Sequence, residues 1–223
     1  MKIYRNFKRS LANSLYPKKK KELIIEFVGV SGVGKTHLTK KTFAKFSNKF
    51  MSKGFARGFF KTLELTYPKH IQQIEDVFCK YPEFNPPHWH LKKYLTGELC
   101  ARCLSRNFYI DEAVINTAPL YILQDIDKNH PEILKRFFKN TIVVWETDTA
   151  HNIAIKRTLR QKQQHKHLSI WNTDEVVIND NIKIMNERIK LLQKYNVPIL
   201  TLDANNPIGE NVKQVQQFIK KYQ

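Results

Sequence analysis

The chain is poor in cysteine and in acidic residues, and it contains no long apolar run. Three cysteines among 223 residues argue against a disulfide framework and indicate a reducing compartment. No run of 18 apolar residues occurs, so we expect no membrane-spanning helix. The basic N-terminus has no apolar stretch of the kind that a secretory signal needs. These absences, together with an ordinary hydrophobic content of 42%, predict one cytoplasmic globular domain.

Few cysteine and histidine residues occur in the patterns that metal sites need. Cys100-Ala101-Arg102-Cys103 is a single C-x-x-C within a helical pattern, and Cys79 is the only other thiol. Buried helix cysteines are therefore favoured over a metal or redox pair. His88-Trp89-His90 and His165-Lys166-His167 have no acids or thiols close by in the sequence. The count of ligands argues against a zinc site.

Positive charge is abundant and unevenly distributed. The formal net charge is +18, from 38 basic and 20 acidic residues, which favours anionic partners such as lipid, glycan or nucleic acid. Residues 2–21 contain no acid, and Pro17 ends a helical pattern with an apolar residue at every fourth position: Ile3, Phe7, Leu11 and Leu15. We interpret residues 1–21 as a basic amphipathic segment that binds an anionic membrane surface, peripheral to the inner membrane. The alternative is a surface helix that packs on the domain.

A glycine-rich stretch carries the strongest functional signal. Gly29-Val30-Ser31-Gly32-Val33-Gly34-Lys35-Thr36 fits G-x-x-x-x-G-K-[ST] without a mismatch. It follows a predicted strand at 22–28 and precedes a predicted helix at 35–50, which is the strand–loop–helix context of a phosphate cradle. Lys35 would reach the β- and γ-phosphates, and the Thr36 hydroxyl would bind Mg²⁺. The predicted nucleotide-binding residues are Gly29, Ser31, Gly32, Val33, Gly34, Lys35, Thr36 and His37.

A second signal is an apolar strand that ends in two acids. Asn107–Ile110 is predicted as a short buried strand, and Asp111 and Glu112 follow it directly. Asp111 would support the Mg²⁺ ion opposite Thr36. Glu112 would lie near the transferred phosphoryl group, as a base or as a residue that orients water; the alternative is an acid at a helix N-terminus.

A third signal is a basic helix after a strand. Thr141–Trp145 is predicted as a strand, and the sequence then continues through a capped turn into a helix at 152–165. A strand, a capped turn and a basic helix in this order resemble the lid region of nucleotide kinases, which implies that Arg157 and Arg160 neutralise charge on a transferred phosphoryl group. The alternative is a basic surface helix.

The remaining pattern alternates strands with helices. Such an alternation predicts a parallel sheet with helices on both faces. A weak second strand is expected at Phe55–Thr62, and a fifth at Val197–Leu202. Further helices are expected at His70–Lys80, Trp89–Leu104, Ala118–Asp127, Pro131–Phe138, Asp174–Tyr195 and Ile208–Tyr222.

The order of these motifs resembles that of P-loop kinases of the nucleoside and nucleotide kinase type, with the thymidylate-kinase-like branch most similar. The chain is also similar to ATP-binding proteins of that branch associated with bacterial surface-polysaccharide genes, which share the Asp-Glu pair. The resemblance covers residues 22–222 and implies a three-layer P-loop NTPase fold with a five-stranded parallel sheet. It further implies ATP and Mg²⁺ as cofactors and phosphoryl transfer as the reaction, within a kinase-like domain at 22–223.

Two departures from the family pattern affect the acceptor. The Asp-Arg pair of nucleotide kinases is replaced by Asp111-Glu112, and Glu64 is the only acid near the end of the second predicted strand. The predicted function is therefore a kinase acting on a nucleotide, sugar or glycan acceptor. Two alternatives stay open: an ATPase switch in which Glu112 activates water, and a nucleic-acid-directed kinase or binding protein suggested by the net charge.

Overall fold

The structure is a computed structural model that describes residues 23–44, 50–52, 68, 72, 76–77, 80–81, 107–110, 114–163 and 172–223. The segment 1–21, the predicted strand Phe55–Thr62 and the predicted helix Trp89–Leu104 lie outside the described residues. The three cysteines and both His-x-His pairs lie outside them as well. None of the described helices is long and apolar enough to cross a membrane.

The described chain is an α/β fold built on a parallel sheet, as the sequence predicts. The strands are β1 (Ile24–Val28), β2 (Phe50–Ser52), β3 (Asn107–Ile110), β4 (Thr141–Thr147) and β5 (Ile199–Asp203). They lie in the order β2-β3-β1-β4-β5, and every neighbouring pair is parallel. The described helices are α1 (Lys35–Phe43), α2 (Val114–Thr117), α3 (Leu120–Asn129), α4 (Pro131–Phe137), α5 (Ala150–Gln163), α6 (Glu175–Lys194) and α7 (Ile208–Tyr222).

Strand β1 lies at the centre of the sheet and is buried on both faces. Ile25 and Phe27 pack in one apolar cluster with residues of α1 and α7, whereas Ile24 and Val28 pack in another with residues of α3, α4 and α6. A strand covered on both faces needs the continuous apolar run that this segment has, apart from Glu26. Its neighbours are β3 on one side and β4 on the other. The chain leaves the carboxyl end of β1 at the switch point of the sheet, where α/β folds bind ligands.

Several predicted elements are confirmed, and β3 and α7 agree at both ends. The predicted C-terminal end of the first helix is wrong, because α1 ends at Phe43 and Phe50 begins β2 instead of continuing a helix. Phe50–Ser52 pairs in parallel with Asn107–Tyr109. This pairing joins residues far apart in the chain, so local apolar spacing could not reveal it.

Other boundaries also differ from the prediction by a few residues, and strand β5 starts two residues later than predicted, at Ile199, and ends one residue later, at Asp203. Strand β4 continues past Trp145 to Thr147, because Glu146 pairs with Leu202 of β5. Helix α3 starts two residues later than predicted, directly after Pro119, and the short helix α2 before it was not predicted. Helix α5 starts earlier, at Ala150, because the Thr149 hydroxyl accepts a hydrogen bond from the backbone N–H of Asn152 (3.2 Å) and caps it.

Candidate functional site

The glycine-rich loop runs from the carboxyl end of β1 into the N-terminus of α1. Gly29, Gly32 and Gly34 have φ angles of 146°, 93° and 134°, which residues with a Cβ rarely adopt. A Cβ on Gly29 would lie 2.5 Å from the backbone oxygen of Glu146. The loop therefore passes too close to the end of β4 to tolerate a side chain.

Lys35 folds back over this loop. Its ammonium nitrogen donates to the carbonyl oxygens of Gly29 (2.8 Å) and Val30 (3.1 Å). The charge that is predicted to bind phosphate therefore lies against the loop itself. An anion that enters the loop would meet this ammonium group and the N-terminus of α1 together.

The other predicted loop residues differ in exposure and in the use of their backbone groups. Ser31, Thr36 and His37 are exposed, whereas the Val33 side chain is buried. The N–H of Val33 donates to Val30 (3.2 Å), and the N–H of His37 donates to Gly34 (2.8 Å). These two N–H groups stabilise the turn into α1.

Arg157 of α5 contacts the tip of the loop. Its Nε and Nη2 atoms donate to the carbonyl oxygen of Ser31, at 3.0 and 2.7 Å, and Nη1 donates to the carbonyl oxygen of Asn172. A Cβ on Gly32 would lie 2.9 Å from the Cγ of Arg157, so the arginine stem covers this part of the loop. Burial lowers the pKa of Arg157 from its ordinary value. The side chain of Arg160, one turn further along, is exposed.

Asn116 of α2 contacts the base of the loop and was not identified from the sequence. Its side-chain oxygen lies 3.5 Å from the N–H of Gly29, and its side-chain nitrogen lies 3.4 Å from the carbonyl oxygen of Phe27. Arg188 of α6 positions α2 by donating to the carbonyl oxygens of Ile115 and Ala118, at 2.7 Å each. No motif marks Asn116, because its role depends on α2 packing beside β1.

Glu146 is a second residue that sequence reasoning missed. This residue is 4% exposed, and its carboxyl oxygens lie 3.1 and 3.4 Å from where a Cβ on Gly34 would stand. Burial raises the pKa of Glu146 to about 7, although Lys35 and Lys156 oppose the shift and Asp148 adds to it. Because β4 was predicted to end at Trp145, Glu146 was expected in a loop and was not considered as a site residue.

Asp148 joins the start of α5 to the loop that follows β5. It accepts hydrogen bonds from Lys156 (2.6 Å), from the side chains of Asn152 (2.9 Å) and Asn205 (3.0 Å), and from the N–H of Thr149 (2.8 Å). Burial alone would raise the pKa of this carboxyl, but the hydrogen bonds outweigh burial and the pKa is lowered. Asp148 is therefore a fixed negative charge near the loop.

The two acids predicted to serve the metal, Asp111 and Glu112, lie outside the described residues, as does Glu64. Strand β3, which precedes them in the sequence, ends at Ile110, and Ile110 pairs with Glu26 of β1. Within the described part of the chain, no group of three or more His, Cys, Asp or Glu residues is arranged to hold a metal ion.

Comparisons with known proteins yield distant structural likenesses. No protein-family model and no curated protein matches the sequence. The chain is similar to deoxyadenosine kinase from M. mycoides with bound dCTP, with 13% identity, a TM-score of 0.49 and coverage of 89% of this chain and 100% of that one. It is similar to an uncharacterized protein from Eubacterium ventriosum, with 13% identity, a TM-score of 0.46 and coverage of 90% of this chain and 99% of that one. It is also similar to a gluconokinase from Sinorhizobium meliloti, with 12% identity, a TM-score of 0.39 and coverage of 91% of this chain and 98% of that one. With TM-scores below 0.5, the assignment of the fold rests on the sheet topology and glycine loop of this chain.

Proposed function

We propose that this protein is an ATP-dependent phosphotransferase, a P-loop kinase that acts on a nucleotide, sugar or glycan acceptor. The observation that carries the proposal is the Gly29–Thr36 loop at the carboxyl end of the central strand, with the Lys35 ammonium group against it. The positive φ angles of its three glycines support this proposal, because such a backbone conformation is typical of loops that bind anions through N–H groups.

ATP would supply the phosphoryl group, and Mg²⁺ would neutralise part of its charge. Lys35 would bind the β- and γ-phosphates, while Thr36 and Asp111 would hold the metal. Arg157 would keep the loop tip in place, Arg160 would neutralise charge during transfer, and Glu112 would orient the attacking group. The order of the motifs supports the thymidylate-kinase-like branch.

Two further proposals concern location. The scarcity of cysteine supports a cytoplasmic protein. The basic amphipathic pattern of residues 1–21 supports peripheral attachment to an anionic surface, on the inner face of a membrane or on an acidic glycan assembly.

The experiment that tests the proposed function is ADP release in the presence of a panel of nucleotides, sugars and lipid-linked glycans. The proposal expects that one class of compound raises ADP release and is itself phosphorylated. ADP release that no compound raises, with free phosphate as the product, would instead identify the ATPase alternative. A protein that binds no ATP would exclude both functions.

A further inference from the structure

Glu146 lies where the end of β4 meets the glycine loop. Its backbone oxygen bounds the loop at Gly29, and its carboxyl group bounds the loop at Gly34. The side chain is almost fully buried, and its Oε2 atom has no hydrogen-bond partner among the described residues. A buried carboxylate oxygen without a donor is costly, so this surrounding favours the neutral carboxyl.

The charged groups that act on this carboxyl have both signs. Lys35 at the start of α1 and Lys156 on α5 favour the carboxylate, whereas Asp148 opposes it. Strand β5 and helix α6 contribute uncharged neighbours: Leu202 pairs with Glu146 across the strands, and Met185 and Asn186 line a small cavity that Glu146 also lines. Burial and this balance leave the pKa of Glu146 at about 7, so the proton is poised to bind or leave near neutral pH.

We propose that Glu146 couples polyphosphate binding at the glycine loop to the uptake of one proton. The inference rests on the proposed function, because it requires a polyphosphate in the loop. A polyphosphate brings several negative charges close to the carboxyl group and attracts the Lys35 ammonium group, which otherwise stabilises the carboxylate. The carboxylate oxygen then takes a proton from solvent and returns it when the ligand leaves.

The sign of the pH dependence follows from this linkage. Below a pH of about 7, the pKa of Glu146 before a ligand binds, this carboxyl is already neutral and affinity is highest. As the pH rises above that value, binding must include proton uptake and affinity falls, by about tenfold for each unit by which the ligand raises the pKa.

The test compares ADP and ATP binding by the full chain and by Glu146→Gln, which keeps the size of the side chain and removes its charge. Dissociation constants should agree at about pH 6, and the variant should bind more tightly than the wild type at about pH 8.5. The ratio of the two constants cancels the ionisation of the ligand itself. Glu175→Gln, an exposed carboxyl on α6, is the matched control and should follow the wild-type curve.

A second measurement does not depend on the variant. Calorimetry of ADP binding to the wild type at about pH 8, in two buffers of different ionisation enthalpy, should show net uptake of a fraction of a proton. Parallel pH curves for wild type and Glu146→Gln, or no proton uptake, would overturn the inference while leaving the proposed function in place. Absence of ADP and ATP binding at every pH would overturn both.

Discussion

Arg157 holds the carbonyl oxygen of Ser31 through two nitrogens of its guanidinium group, at 3.0 and 2.7 Å. The two residues are 126 positions apart in the chain. The same guanidinium donates to Asn172, two residues before the N-cap of α6 at Asp174. One side chain therefore ties the tip of the glycine loop to the helix layer that covers it. Arg157 therefore supports the conformation of the loop tip.

Arg157→Ala should destabilise both the fold and the loop. Removing the buried donors leaves the Ser31 and Asn172 carbonyls without these bonds, and we expect the free energy of unfolding to fall by about 1–3 kcal/mol. ATP affinity and turnover should fall together. Arg160→Ala, at an exposed position on the same helix, should keep the stability and lower turnover more than affinity. Thermal unfolding with steady-state kinetics distinguishes the two; identical behaviour of both variants would show that the Ser31 contact is unimportant.

Lys35→Ala should weaken ATP binding and abolish turnover while the protein stays folded. Loss of a charge-assisted hydrogen bond of about 1.5–3 kcal/mol corresponds to roughly 10- to 150-fold in the dissociation constant. Lys40→Ala, at an exposed position on the same helix, is the control and should bind ATP as the wild type does. Calorimetry measures both constants, and unchanged affinity in Lys35→Ala would contradict the role assigned to this loop.

Gly29→Ala should be strongly destabilising, and Gly34→Ala should impair the loop. Both glycines have positive φ, and the new methyl groups would lie 2.5 Å from the Glu146 backbone oxygen and 3.1 Å from its carboxyl oxygen. Backbone strain of this kind costs about 1–3 kcal/mol per site. Gly209→Ala is the control: nothing lies within 4 Å of the added Cβ in α7, so stability should stay the same or rise by up to about 1 kcal/mol. Equal unfolding midpoints for Gly29→Ala and Gly209→Ala would be inconsistent with this geometry.

Glu26 should make the protein less stable as the pH rises. Its side chain is fully buried in β1, and burial raises its pKa to about 8, although Ile115 and Arg188 oppose the shift. The unfolded chain releases this proton near pH 4.5, the ordinary value, whereas the folded protein keeps it. The contribution of this proton to the free energy of unfolding is complete below pH 4.5 and is lost as the pH rises toward 8. Glu26→Gln should flatten this decline, which unfolding midpoints across the range would reveal; an unchanged slope would exclude Glu26 as its source.

Deleting residues 1–21 should separate surface attachment from nucleotide binding. Each Lys or Arg near an anionic bilayer contributes about 1 kcal/mol, and salt screens the attraction. The truncated protein should keep ATP affinity and lose most binding to anionic vesicles at low ionic strength, whereas neither form should bind neutral vesicles well. Vesicle binding that survives the deletion would rule out this segment as the anchor. Unfolding of the truncated protein would instead favour packing of Ile3, Phe7, Leu11 and Leu15 on the domain.

The sequence alone determined the features that depend on neighbouring residues. The G-x-x-x-x-G-K-T spacing predicted the loop because positive-φ glycines and the turn into a helix are local properties. Apolar spacing predicted β1, β3 and α7, because burial imposes its period directly on the chain. Asp111 and Glu112 lie outside the described residues, so their roles stay predictions.

Only the tertiary structure decided which distant groups meet at the loop. The extension of β4 to Thr147 depends on pairing with β5, and it brings Glu146 against Gly34. The positions of Asn116 and Arg157 depend on how α2 and α5 pack against the end of β1. A carboxylate, an amide or a guanidinium has no local signature for such a contact, because its energy comes from partners far away in the chain. The sequence therefore predicted the strand, glycine loop and helix that carry this motif, while the packing of helices and strands decided which side chains surround the loop.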